Sequence, residues 1–234
     1  MTFYEELQLN QAGSKQLIKN SQCNKEKLNH IAIYLFKILI TMVFCMTFVI
    51  AYSKIFGNSN SIVGVVVLLF VLVFRNVDLS LKTSNAIPSL IAIFIILAIG
   101  PRMSNTANIF VELFINVICI FSLMFLGCHD VRMFNHSTLV LSYLLLYGYD
   151  VSGYLYIKRL EGLAIGAIIT CIIYYRNHKK KTHESEVIHF LKKLNFKCDR
   201  TKWQLSLTIA VSSILLIARL INLPRPMWAV WTIP

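Results

Sequence analysis

Glu112 is the residue whose type and setting most directly suggest chemistry. It lies inside an apolar run, with Asn108 four residues before it and Asn116 four residues after it. On a helix, side chains at that spacing share one face. A carboxylate in hydrocarbon is costly, so Glu112 is expected to face a cavity or a partner. Two roles follow. It can carry a proton or meet substrate in a permeation path, with Asn108 and Asn116 supplying hydrogen bonds. Alternatively it is structural, held near the outer interface or satisfied by a neighbouring helix. The sequence leaves both open.

Three more charged side chains qualify as substrate-binding candidates. Arg159 and Glu161 open a later apolar run, just after Asp150 closes the one before it. A helix N-terminus favours Glu161 there, and interfacial capping and snorkelling are the preferred explanation of the group. Arg75, close to Asp78, ends a short apolar run, where it can attract an anion or simply anchor the helix. Gly162 and Gly166 form a G-x-x-x-G one turn apart, with Ala167 beside them, a spacing that lets helices pack closely. Arg219 and Arg225 are assigned to lipid head groups. Trp203, Trp228 and Trp231 are assigned to interfacial belts.

Enzyme chemistry finds no comparable footing. An intramembrane aspartyl protease needs two aspartates at membrane depth, one of them in G-x-G-D. The stretch Tyr147-Gly148-Tyr149-Asp150 has tyrosine at the first glycine position, and no second aspartate sits in an apolar run. Cys128-His129-Asp130 falls between runs, without further metal-ligand spacing. Asp150-Val151-Ser152-Gly153 lacks a helical histidine partner. The six cysteines are scattered, with no C-x-x-C pair. The expectation is a protein that is not an enzyme and uses no metal or cofactor.

The elements that must position these residues are helices. Hydrophobic residues make up 56% of the chain and charged residues 15%, well under the ~25% of a soluble domain. The apolar residues come in blocks, the mark of an all-α integral membrane protein. Six blocks occur at about residues 31–52, 61–74, 87–99, 107–126, 138–149 and 160–175, and a seventh at 203–221. The second is stopped by Arg75-Asn76-Val77-Asp78 and the third by Gly100-Pro101-Arg102. Residues 75–85 offer an alternative, a helix that continues rather than a loop. Several blocks are shorter than the ~20 residues that cross ~30 Å of hydrocarbon, so they either recruit flanking polar residues or form broken helices.

The net charge of +12 sits beside the apolar blocks, which points to anionic lipid head groups and not to nucleic acid. With the N-terminus inside, Lys15, Lys19, Lys25, Lys27, Arg75, Lys82, Arg132 and the basic stretch 176–202 are cytoplasmic. Only Lys54, Arg102, Lys158 and Arg159 fall outside. This gives a cytoplasmic segment at 1–30, an amphipathic surface helix or a loose tail. A six-helix membrane domain follows at 31–175, then a basic linker at 176–202, and then 203–234 as a seventh helix opening a second, truncated unit. In the linker Val187, Phe190, Leu191 and Leu194 recur at helical spacing, which predicts a short amphipathic helix on the bilayer. Residues 38–57 and 205–224 align without gaps, Thr41 with Thr208 and Ile50-Ala51 with Ile217-Ala218, which suggests a repeat.

Two short motifs add a family. Leu223-Pro224-Arg225-Pro226-Met227-Trp228, after a long apolar helix, resembles the L-P-H-P-Y-W turn of the FUSC (fusaric acid resistance) family of aromatic acid exporters. Arg159-Leu160-Glu161-Gly162-Leu163-Ala164-Ile165-Gly166-Ala167 is similar to that family's R-L-E-G-T-x-I-G-A, with Leu163 at the threonine position. The resemblance implies a plasma-membrane permease component exporting small organic or aromatic anions; proton coupling is a further expectation, read from the residues, with Glu112 as its candidate carboxylate. It also implies a partner, either a complementary C-terminal half or a homo-oligomer. The competing expectation is a non-transporting scaffold or a truncated permease fragment.

Overall fold

The computed structural model describes residues 5–6, 11–21, 23–77, 79, 83–128, 135–179, 199–221 and 223. Asp78, Arg132, the amphipathic stretch of the linker, the turn at 224–228 and Trp231 lie outside the described residues. The chain falls into two compact units, Met1–Ala51 and Tyr52–Pro234.

The described residues form helices and no strand, as the blockwise apolar pattern requires. The helices are α1 Gln11–Asn20, α2 Asn24–Phe56, α3 Ser61–Phe74, α4 Thr83–Thr106, α5 Ile109–Gly127, α6 Asn135–Gly148, α7 Tyr154–His178 and α8 Asp199–Leu220, with a 3-10 turn at Asn58–Asn60. Among the described residues, four stretches are long and apolar enough to cross a membrane: Asn24–Phe56, Asn85–Thr106, Ile109–Gly127 and Arg200–Leu220. Helices α3 and α6, of 14 residues each, reach only about 21 Å.

In the first unit, α1 provides the helix anticipated in the N-terminal segment. Ser21 Oγ caps its end by donating to Leu17 O at 2.8 Å. His30 Nδ1, in the second turn of α2, lies 2.7 Å from Glu6 Oε1.

In the second unit, α6 packs against α3, α4 and α5, while α7 packs against α3 and α4. The short α6 thus has three helical neighbours, and its Leu139, Tyr143, Leu144 and Leu146 are buried. The seventh apolar block, α8, packs along α5. Its buried residues Thr201, Gln204, Thr208, Val211, Leu215 and Ala218 recur at alternating three- and four-residue steps, with Ser212 buried beside Val211, a seam spaced like that of a coiled coil. Two links use left-handed backbone that only glycine adopts freely: Gly57 (φ 92°) after α2 and Gly153 (φ 60°) before α7.

The second apolar block matches α3 to the residue, since an arginine and an asparagine follow it directly. Helix does not continue through 75–82, because Leu79 is non-helical and α4 begins at Thr83. The expected stop at Gly100-Pro101-Arg102 is corrected: α4 runs through it to Thr106, with Pro101 inside the helix. Proline removes one helical donor, a loss that packed neighbours in membrane proteins can absorb. Here Gly100 packs so closely that a Cβ would come within 2.8 Å of Cys119 Sγ and 3.1 Å of the Tyr143 ring. The polar residues beyond Pro101 are fastened by the site described next.

Candidate functional site

Helix α5 begins one residue after Asn108, which takes the N-cap position in an extended conformation. This sets Glu112 in the first turn, its backbone N–H donating to Asn108 O at 2.8 Å. Glu112 and Asn116 are both 1% exposed, whereas the Asn108 side chain is exposed. The predicted three-residue face is thus corrected to two. A residue at the cap departs from the helical rotation that the spacing argument assumes.

Three other helices supply the partners. Tyr147 OH, from the last turn of α6, donates to Glu112 Oε1. Arg219 Nη1, from the last turn of α8, forms an ion pair with Glu112 Oε2. A second Arg219 nitrogen, Nη2, donates to Ala107 O at 3.5 Å. One turn deeper, Asn116 Oδ1 accepts from Ser104 Oγ at 2.8 Å and from Tyr143 OH at 2.7 Å. Asn105 Nδ2 donates to Tyr147 O at 2.9 Å. Glu112 and Asn116 thereby bind α4, α5, α6 and α8 together at one end of the bundle. The Arg219 side chain keeps 35% of its surface exposed, so the node is open on one side.

Arg219 is the residue that sequence reasoning missed. The head-group assignment is corrected, because this guanidinium turns inward to Glu112. Helices α5 and α8 are antiparallel, and an acid in the first turn of one therefore meets a base in the last turn of the other. The C-terminal end of α8 also favours a cation. The signal was present as two opposite charges at matching depths in antiparallel blocks, but their pairing needed the tertiary neighbour. At the far end of the same helix pair, Gln204 Nε2 donates to Met124 O at 3.2 Å and to Cys128 O at 2.8 Å. The Trp203 ring there meets His136 edge-on at 5.0 Å.

The other candidates are not gathered at this node. Arg159 is 3% exposed. Its Nε donates to Asn60 Oδ1 at 3.3 Å, Nη1 to Leu146 O at 3.4 Å and Nη2 to Tyr149 O at 2.5 Å. It therefore caps the C-terminal carbonyls of α6, which have no helical donors of their own. Glu161 is exposed and pairs at 2.7 Å with Lys158; this hydrogen bond raises the Lys158 pKa. Arg75 is exposed at the opposite end of the bundle, where its carbonyl accepts from Asn177 Nδ2 at 3.2 Å.

Gly162 and Gly166 form the packing face of α7. A Cβ on Gly162 would meet Tyr52 and Val63 at 3.3 Å, and one on Gly166 would overlap Val67. Tyr52 OH also donates to Gly162 O.

Among the described residues, no three His, Cys, Asp or Glu side chains converge. The chemistry of the node is that of a carboxylate, a guanidinium, an amide and two phenols. Neither protein-family models, nor curated proteins, nor solved structures give a match to this chain.

Proposed function

We propose that the chain is a multi-pass permease component of the plasma membrane, with its N-terminus cytoplasmic and six spans followed by a seventh, exporting small organic or aromatic anions. The observation that carries this reading is the Glu112–Arg219 pair, enclosed by apolar helices yet reachable through the exposed part of Arg219. Ionisable residues at membrane depth are expensive and usually face a pathway or a partner. The resemblance to the FUSC family supports the same class of substrate.

Charge balance defines the working cycle. The resting pair is neutral. An anion that takes Arg219 displaces the Glu112 carboxylate and would leave it uncompensated in a low-dielectric setting. If Glu112 gains a proton in the same event, the site stays neutral. Anion and proton therefore bind together, and Tyr147 OH, which donates to the carboxylate at rest, becomes available to the incoming anion. Asn116, held by Ser104 and Tyr143, forms the floor. Arg75, at the other end, offers an anion its first positive charge from the cytoplasm.

The test is tolerance of toxic aromatic acids in a host expressing the chain, alone or with a complementary C-terminal half. Glu112→Gln and Arg219→Gln should each abolish the gain. Undiminished tolerance in both variants, at equal membrane levels, overturns the reading. Cysteine labelling should find Ser59→Cys accessible from outside and positions near 180–200 from the cytoplasm; the reverse pattern overturns the orientation.

A second reading has one specific observation behind it. Both oxygens of Glu112 are engaged, by Tyr147 and by Arg219, as in a structural tie. A non-transporting scaffold, or a fragment needing a partner half or another copy of itself, would use the pair in this way. The same variants would then lower stability while wild type conferred no tolerance.

A further inference from the structure

An apolar cleft of about 460 Å³ separates α4 from α7, apart from the Glu112 node. Its depth comes from small side chains, Ala98 on α4 and Ala164 and Ala167 on α7, beside Phe94. It follows α7 from Leu160 to Ile172, about 18 Å of helix. No charged side chain lines it.

One end of the cleft differs in chemistry. Arg102 lies one turn beyond Ala98, and Tyr156 one turn before Leu160, so both walls continue into polar side chains. Tyr156 OH donates to Ala98 O at 3.1 Å. The Arg102 guanidinium stands 5.8 Å from the centre of the Tyr156 ring and donates to Asp150 Oδ2 at 2.5 Å. Arg159 lies close by, its Nη2 donating to the carbonyl of Tyr149, the residue before Asp150. This end therefore holds two guanidiniums and one carboxylate, Asp150, paired with Arg102, while Glu161 is engaged with Lys158. The mouth carries one positive charge in excess, and Arg102 keeps 31% of its side-chain surface exposed.

An apolar slot ending at a surplus cation fits one kind of molecule. We propose that the cleft between α4 and α7 holds an acyl chain of an anionic phospholipid whose phosphate meets Arg102. The slot excludes the hydrated head group, and the charge excess selects an anionic head over a zwitterionic one. The inference rests on membrane embedding and not on transport, so the outcome of tolerance assays does not bear on it.

Native mass spectrometry of the detergent-purified full chain tests this, with phosphatidylglycerol and phosphatidylcholine of identical acyl chains. Wild type should retain one phosphatidylglycerol about fivefold better than phosphatidylcholine, the worth of one surface charge. Ala164→Phe, which fills the slot without touching its polar mouth, should remove most of the retained lipid at an unchanged melting temperature. Arg102→Gln should bring phosphatidylglycerol down to the level of phosphatidylcholine. Equal retention of the two lipids by wild type, or undiminished retention by Ala164→Phe, overturns the proposal.

Discussion

Glu112 in the first turn of α5 and Arg219 in the last turn of α8 form an ion pair that locks two antiparallel helices at one end, while Gln204 locks them at the other. Removing one member leaves the other without its charge partner. Glu112→Gln or Arg219→Gln should therefore destabilise the detergent-solubilised protein, near the low end of about 3–5 kcal/mol because Arg219 is partly exposed. The double variant Glu112→Gln/Arg219→Gln should cost much less than the sum of the single changes. A double-mutant cycle of unfolding free energies reads the difference, and additive losses would show that the two residues are not coupled.

Gly166→Leu should overpack the α3–α7 contact, since even a Cβ there overlaps Val67. A loss of about 1–3 kcal/mol is expected. Trimming the opposing side chain by Val67→Ala should recover part of it. A melting temperature unaffected by Gly166→Leu would mean that α7 does not seat on α3 through this glycine.

Arg159→Lys should be nearly as damaging as Arg159→Met. A guanidinium reaches Asn60, Leu146 and Tyr149 together, and a single ammonium on a flexible stem cannot reproduce that fork. Near-normal stability of the lysine variant, measured by thermal unfolding, would reduce Arg159 to a point charge.

Tyr52→Phe removes the hydroxyl that donates to Gly162 O but keeps the ring against Gly64 and Phe56. The cost should be about 1 kcal/mol. Tyr52→Ala should cost several times more, because the ring packing goes too. Equal effects of the two changes would place the whole contribution in the hydroxyl.

The helical class and the approximate place of every block were legible because apolar and charged residues segregate so sharply. The end of α3 was legible for the same reason. What escaped depended on neighbours. Proline is a local stop signal, yet α4 passes Pro101 because Ser104 and Asn105 beyond it have partners on other helices. Asn108 shares helical spacing with Glu112 but falls outside the regular turn. Arg219 looked like a surface anchor, since an arginine near the end of an apolar block usually is one. The internal repeat shows the same limit. Thr41 and Thr208 both donate to the carbonyl four residues back, yet Thr41 is exposed and Thr208 buried. Matching local chemistry did not guarantee matching surroundings.

The separation of Glu112 from its base along the chain has a consequence for biosynthesis. Arg219 emerges from the ribosome roughly a hundred residues after Glu112, which at ~5–20 residues per second is about 5–20 s. For about the first third of that interval Tyr147 has not been made either, 35 residues separating it from Glu112, and for the rest the carboxylate has Tyr147 but not its cation. The nascent bundle must therefore shelter it, in water or beside an insertion factor, until α8 arrives and packs along α5.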